Sequence, residues 1–396
     1  MSLSKISEKF ILNRLKKLEN GNLKLINYDG KVFHFGNLES KPSADIKINN
    51  PNFFTNIILG GSSAFGEAHM KKDFYTSNLT NLIEITAKNV KLVYSFSGSL
   101  KLQKIKNLIK KIFASNTKSK SLINISKHYD LGNDFFSRWL DKSLTYSSAI
   151  FMDQNESLEK AQRNKYQKLI DLLKIKEGNK VLEIGCGWGG FSEYLAKNYN
   201  VSIDCITISK KQFEFSKNRI SASGLDNKVN VKFLDYRDVK DKYDNIASIE
   251  MIEAVGENYL DKYFGTIKNS LKSNGTAAIQ GITISDNLFE RYRRSEDFIQ
   301  KYIFPGGFLP SEKFMKQLIK KHNLSLDKIN TYSDDYAKTL NIWKSNFLNA
   351  WKNISPLGFD EAFKRMWEFY LSYCEAGFKS KNINLIQFSM SNNQNA

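Results

Sequence analysis

Apolar residues recur along MSLSKISEKFILNRLKKLEN at Leu3, Ile6, Phe10, Ile11, Leu15 and Leu18, with lysines opposite, which is the spacing of an amphipathic helix. GNLKLINYDGKVFHFGN then alternates apolar and polar positions about Asp29-Gly30, a hairpin signal, and ADIKINN continues as a strand. PNFFTNIILGGSSAFGEAHM reads as helix up to Gly60-Gly61. In LKLQKIKNLIKKIF (100–113), Leu102, Ile105, Leu108, Ile109 and Ile112 share one side, while Lys101, Lys104, Lys106, Lys110 and Lys111 crowd the other. A basic amphipathic helix of this kind suits an anionic lipid surface or an ordinary solvated face. The polar run ASNTKSKS (114–121) reads as a linker, so the expected domains are residues 1–118 and 119–396.

Beyond the linker the pattern becomes strand–helix alternation. KVLEIG (180–185), VSIDCITI (201–208), VNVKFLD (229–235), YDNIASIEM (243–251) and GTAAIQGITI (275–284) read as strands, with GGFSEYLAKNY and KKQFEFSKNRISASG as helices between them. Such alternation predicts an α/β fold with a doubly wound, Rossmann-like parallel sheet, preceded by a smaller α+β domain. The closing SNNQNA reads as an unstructured tail.

Charge changes the picture of the first domain. The chain holds 59 Lys+Arg against 41 Asp+Glu, and residues 1–120 alone hold 20 against 8. That excess calls for an anionic partner, a membrane surface or nucleic acid. Lysines predominate over arginines and no recognition module is visible, which argues against nucleic acid. Three cysteines without a C-x-x-C pair exclude a disulfide framework and a zinc site, and no metal is expected. The absence of a long apolar run or a leader predicts a cytoplasmic protein that meets membranes peripherally.

The chemistry centres on VLEIGCGWGGF (181–191). Gly185, Gly187 and Gly190 satisfy G-x-G-x-x-G, and Asp204 follows Gly185 by 19 residues, as in nicotinamide dehydrogenases. Asp204, however, is expected inside a strand rather than at its tip. Glu183 precedes the first glycine, as in loops that hold S-adenosylmethionine. Spacing alone leaves both cofactors open.

The chain resembles the cyclopropane-fatty-acyl-phospholipid synthase family of S-adenosylmethionine-dependent lipid methyltransferases. The resemblance rests on HYDLGNDFF (128–136), LTYSSAIF (144–151), VLEIGCGWGGF, DYRDV (235–239), IEMIEAVGENY (249–259), YIFPGGFLPS (302–311), YAKTL (336–340) and MWEFYLSYCEAGF (366–378). It implies a class I methyltransferase domain behind a lipid-associated N-terminal domain. It also implies methylation of a cis double bond in a phospholipid acyl chain, followed by closure to a cyclopropane ring. A methyl-branched unsaturated product, or a small-amine substrate, is the alternative outcome.

The resemblance further implies that Tyr146, Ser147, Gly185, Gly187, Thr207, Ile208, Gln212, Tyr236 and Arg237 hold the cofactor, with Glu183 ordering the glycine loop. Ser148, Glu253, Gln280, Ile282 and Tyr336 match a polar cage that holds a bicarbonate ion as proton acceptor. Ser148 and Gln280 stand where the family commonly has Cys and His, and an amide cannot exchange a proton as an imidazole does. Whether the cage still takes bicarbonate stays open on this ground, as does a homodimeric state. Cys374 matches a family motif and is carried as a candidate catalytic thiol, with a structural role favoured.

Overall fold

The structure, a computed structural model, describes residues 2–95, 116–118, 120–121 and 131–392. The basic segment 100–113, parts of the linker, residues 128–130 of HYDLGNDFF and the end of the tail lie outside the described residues. The chain forms two compact units. One takes residues 1–113, 291–303 and 343–382, the other 114–290, 304–342 and 383–396. This differs from a single cut at residue 118, because two later segments join the first unit. The helix Glu361–Lys379 packs on the helices Leu79–Lys88 and Phe53–Met70, and Phe298–Tyr302 also packs on the latter. An aromatic seam explains the association: Phe369 lies 4.5 Å from Phe298 and 5.9 Å from Phe65, ring centre to ring centre.

In this first unit, strands β1 (Asn22–Ile26), β2 (Val32–Gly36), β3 (Ser43–Ile48) and β4 (Phe74–Tyr75) form a sheet of order β2-β1-β3-β4. The hairpin about Asp29-Gly30 pairs β1 with β2, and β3 adds parallel to β1. Within Phe53–Met70 the first helix ends at Gly60-Gly61, as expected, because Gly61 leaves the helical region (φ 56°, ψ −136°), and a second helix follows it to Met70. The opening helix Leu3–Leu15 splits its apolar residues. Ile11 is buried, whereas Leu3, Ile6 and Phe10 face solvent.

The second unit carries seven strands, β5 (Lys180–Ile184), β6 (Ser202–Thr207), β7 (Val229–Phe233), β8 (Tyr243–Ile249), β9 (Leu271–Ile284), β10 (Ser325–Thr331) and β11 (Ile383–Ser391). Their order is β10-β11-β9-β8-β5-β6-β7, parallel from β9 to β7, with β11 antiparallel to both β9 and β10. The chain winds outward from β5 in both directions, so a crevice opens beyond the carboxyl ends of β5 and β8, where open α/β sheets bind ligands.

The block MWEFYLSYCEAGF has a structural account in Glu375. This buried carboxylate takes Lys344 at 2.8 Å, Lys379 at 2.9 Å and the Thr80 hydroxyl at 3.0 Å, joining three parts of the first unit. Removing one member of such a cluster strands the opposite charge. Glu375→Ala is therefore expected to cost about 3 kcal/mol in urea unfolding of the full chain.

Candidate active site

The turn from β5 into the helix Gly190–Asn198 needs its glycines for geometry. Gly185 has φ 82°, and a Cβ there would stand 2.7 Å from Met251 Cγ. Gly187 has φ 53° with open space where a Cβ would project, so a ligand can approach its backbone. Trp188 is pinned by a 2.9 Å bond from its Nε1 to Asn133 Oδ1. Glu183, buried in β5, accepts from the Ser192 hydroxyl and ties the strand to the helix beyond the loop. Burial pushes its carboxyl up to about 7, against the opposing Ser192 bond and Lys165 charge.

The other expected cofactor residues sit at neighbouring strand ends. Thr207 closes β6, Ile208 follows, and the Thr207 hydroxyl donates to Gln212 Oε1 at 3.1 Å, at the start of the helix Lys210–Ala222. Tyr236 and Arg237 form the turn after β7, where the Arg237 guanidinium forks onto Asp235 at 2.8 and 2.6 Å and donates to the Asn116 carbonyl. Tyr146 packs against Phe136 and Trp139, and Ser147 Oγ accepts from Lys165 Nζ at 2.6 Å. Asp204 lies within β6 and is engaged by Lys232 at 2.9 Å and by the Tyr243 hydroxyl at 2.9 Å. It is not at the strand tip that a nicotinamide ribose would require. The open backbone of Gly187 and the strand-end residues around it fit S-adenosylmethionine.

The five cage residues come together in the second unit, around a carboxylate that the sequence reading missed. Glu250, directly after β8, accepts from the Ser148 backbone N–H at 2.8 Å, Gln280 Nε2 at 2.8 Å and the Tyr336 hydroxyl at 2.6 Å. Gln280 is itself oriented by Gln387 on β11, whose Nε2 donates to Gln280 Oε1 at 2.9 Å. Glu253 takes the fifth position's donor, the Ile282 backbone N–H, on Oε1, while its buried Oε2 has no hydrogen-bond partner. The donors expected to hold bicarbonate are thus spent on the chain's own carboxyls, and the cage does not fit an added anion.

Charge in the cage is unequally shared. Burial raises the carboxyl of Glu250, opposed by the Tyr336 bond, the Lys165 charge and the Gln280 and Ser148 bonds. Burial and the adjacent Glu250 charge push Glu253 up to about 8, with the backbone N–H groups of Ile282 and of Glu253 itself opposing, so Glu253 is the protonated partner. Lys165 is fully enclosed, and burial lowers its ammonium to about 7 despite Glu250. Two signals for these residues were present in the sequence. Glu250 lies in IEMIEAVG, three residues before Glu253, and Lys165 occupies the same helical stripe as Ala161, Leu169 and Leu173, which are all buried.

Cys374 belongs to the first unit, on the helix Glu361–Lys379. Burial and the charge of Asp297 hold its thiol well above the ordinary value, so it is no thiolate nucleophile.

Comparison with known proteins fits this geometry. The model of the family described as mycolic acid cyclopropane synthetase matches residues 116–388, and a domain family of unknown function matches residues 10–96. The chain is 36% identical over 348 residues to the cyclopropane-fatty-acyl-phospholipid synthase of Escherichia coli, covering 87% of each chain. It is 35% identical over 338 residues to the tuberculostearic acid methyltransferase UfaA1 of Mycobacterium tuberculosis, covering 83% of this chain and 79% of that one. Among solved structures, mycolic acid cyclopropane synthase CmaA1, complexed with SAH and CTAB, superposes with a TM-score of 0.65 at 27% identity. That match covers 68% of this chain and 98% of that one.

The raised carboxyl of Glu253 links stability to pH. Between the ordinary carboxyl value and about 8, the folded protein keeps a proton that the unfolded chain has released. Its contribution is complete at low pH and disappears as pH rises through about 8. Glu253→Gln removes that dependence. Moving from about pH 5 to about pH 9 is expected to cost the wild type on the order of 2 kcal/mol relative to the variant, measured as melting curves of both proteins.

Proposed function

The chain belongs to the mycolic acid cyclopropane synthetase family and is an S-adenosylmethionine-dependent methyltransferase, and on that premise we propose that it methylates the cis double bond of unsaturated phospholipid acyl chains and closes a cyclopropane ring. The observation that carries this reading is the cage of Glu250, Glu253, Gln280 and Tyr336, a polar proton-handling centre in the unit that also bears the glycine loop. The likeness to a cyclopropane-fatty-acyl-phospholipid synthase across 87% of the chain supports the substrate class.

The bound cofactor would supply an electrophilic methyl on a sulfonium sulfur. The chain's own residues do the rest. Gly185 and Gly187 give the backbone its close turn, Glu183 and Ser192 hold that turn, and Thr207, Gln212 and Tyr236 would grip the nucleoside. The rings of Phe136, Trp139 and Tyr146 pack together, and their faces attract developing positive charge without bonding to it. The cage residues receive the proton that the alkylated chain must lose.

The first unit suits a membrane surface. Leu3, Ile6 and Phe10 form an exposed apolar row on a helix that also carries Lys5, Lys9 and Arg14. No helix among the described residues is long and apolar enough to cross a membrane, and the contact proposed here is peripheral. A second reading, in which the product is a methyl-branched chain without a ring, is favoured by the name of one relative, a tuberculostearic acid methyltransferase at 35% identity.

Expression in a host without cyclopropane lipids is expected to add the mass of one CH2 group to each modified unsaturated chain. Gas chromatography separates the ring from a methyl branch. Unchanged lipids despite cofactor binding by the purified protein would refute the reading. For the surface contact, the triple substitution of Leu3, Ile6 and Phe10 by Ser is expected to weaken flotation with anionic liposomes about tenfold or more, leaving cofactor binding unchanged.

A further inference from the structure

We propose that Glu250 is the proton-accepting carboxylate of this enzyme, a base built into the chain at the place where the family resemblance leads one to expect a bound bicarbonate. The inference rests on the lipid-methylation reading and specifies how its last step is completed.

Three donors from three different elements converge on this one side chain: the Ser148 N–H, the Gln280 amide on β9 and the Tyr336 hydroxyl on the helix Ser333–Asn349. Each of the three belongs to a position that the resemblance assigns to anion binding. The backbone is bent to suit. Glu250 has φ 48°, in the left-handed region that a long side chain rarely adopts, and its N–H bonds to the Gln280 carbonyl at 2.8 Å. A strained residue whose carboxylate fills a ready-made anion site is a functional arrangement rather than a packing accident.

Glu253 is the weaker candidate for the base. It has no side-chain donor, a buried oxygen without a partner and a negative neighbour, and a carboxyl that already carries its proton cannot accept another. Gln280 and Tyr336 donate to Glu250, and Lys165 is the enclosed cation that offsets its charge.

The step balances without an external ion. The alkene π pair forms the new C–C bond as the C–S bond breaks, its electrons leaving with sulfur, and positive charge develops on the second alkene carbon. The Glu250 carboxylate removes a proton from the new methyl group, and the freed C–H pair closes the ring. Glu250 becomes a carboxylic acid and gives its proton to water after product release.

The test compares wild type, Glu250→Gln and Glu250→Gly. Glu250→Gln is expected to lower turnover by about 10²–10⁴-fold, with S-adenosylmethionine affinity by calorimetry and melting temperature close to wild type. Glu250→Gly suits the left-handed backbone and empties the cage, so it is expected to bind carbon-13-labelled bicarbonate by NMR and to regain turnover when bicarbonate is added. Wild type is expected to bind none and to keep its rate after bicarbonate is removed. Labelled bicarbonate bound by wild type, a rate that falls on its removal, or an undiminished rate in Glu250→Gln would each overturn the proposal. If Glu250→Gly fails to fold, Glu250→Gln and the wild-type binding measurement decide. If wild type methylates no lipid, the lipid reading fails on its own, while the bicarbonate-binding comparison still judges the assignment of Glu250.

Discussion

A carboxylate withdrawn from water must find donors and a counter-charge or give up its ionisation, and the catalytic unit is arranged around that demand at Glu250. The parallel sheet brings β8 to an end at Ile249, so the next residue stands over the crevice. β9 beside it supplies Gln280, and β11 on the far side of β9 supplies Gln387, which turns the Gln280 amide so that its nitrogen faces Glu250. The segment bearing Ser148 and the helix bearing Tyr336 close the remaining sides. Lys165 adds the cation from the helix Leu158–Leu173. Sheet register sets the alignment of Glu250, Gln280 and Gln387, and the packed helices bring Tyr336 and Lys165 to it, so the fold and the charge are specified together.

Paired carboxyls with different surroundings do different work. Glu250 has two side-chain donors, one backbone donor and a nearby ammonium; Glu253 has backbone donors alone and the repulsion of Glu250. Burial raises both of these acids, three residues apart in IEMIEAVG, and the poorer set of donors makes Glu253 the one that keeps a proton, a neutral anchor for the Ile282 N–H. The glycine loop has the complementary task of bringing a cofactor to the same unit, and Glu183 serves it from below by clamping Ser192.

Local pattern made much of this legible. Strand periodicity located β5 to β9, and the expected placement of Asp204 inside a strand, where the structure has it, weighed against a nicotinamide site without deciding the cofactor. The cage positions followed from the resemblance, residue by residue. Glu250 escaped because its role comes from φ and from three partners distant in sequence, none of which a local motif displays. Lys165 and Gln387 escaped for a similar reason, although each is a polar residue on an otherwise buried stripe or strand, an anomaly that periodicity can flag. The union of residues 343–382 with the N-terminal unit was hidden because an amphipathic helix records that it has a partner, not which partner.

The departure at Gln280 gains a physical meaning once Glu250 is seen. An imidazole in this position would itself titrate near neutrality, and its charge would then vary with pH beside the base. An amide offers a donor whose strength is constant, and Gln387 fixes its direction. The proposed base, in turn, would have to take a proton from a cation without bonding to the cationic carbon. Glu250 Oε1 already accepts from Ser148 and Gln280, and Oε2 accepts from Tyr336, which holds both oxygens in place and draws density from their lone pairs. A mobile carboxylate could collapse onto the cation and trap it as an ester. On the proposed chemistry, a carboxylate held at both oxygens would collapse less readily, so the hydrogen bonds that make burial of the charge tolerable would also favour proton removal over capture.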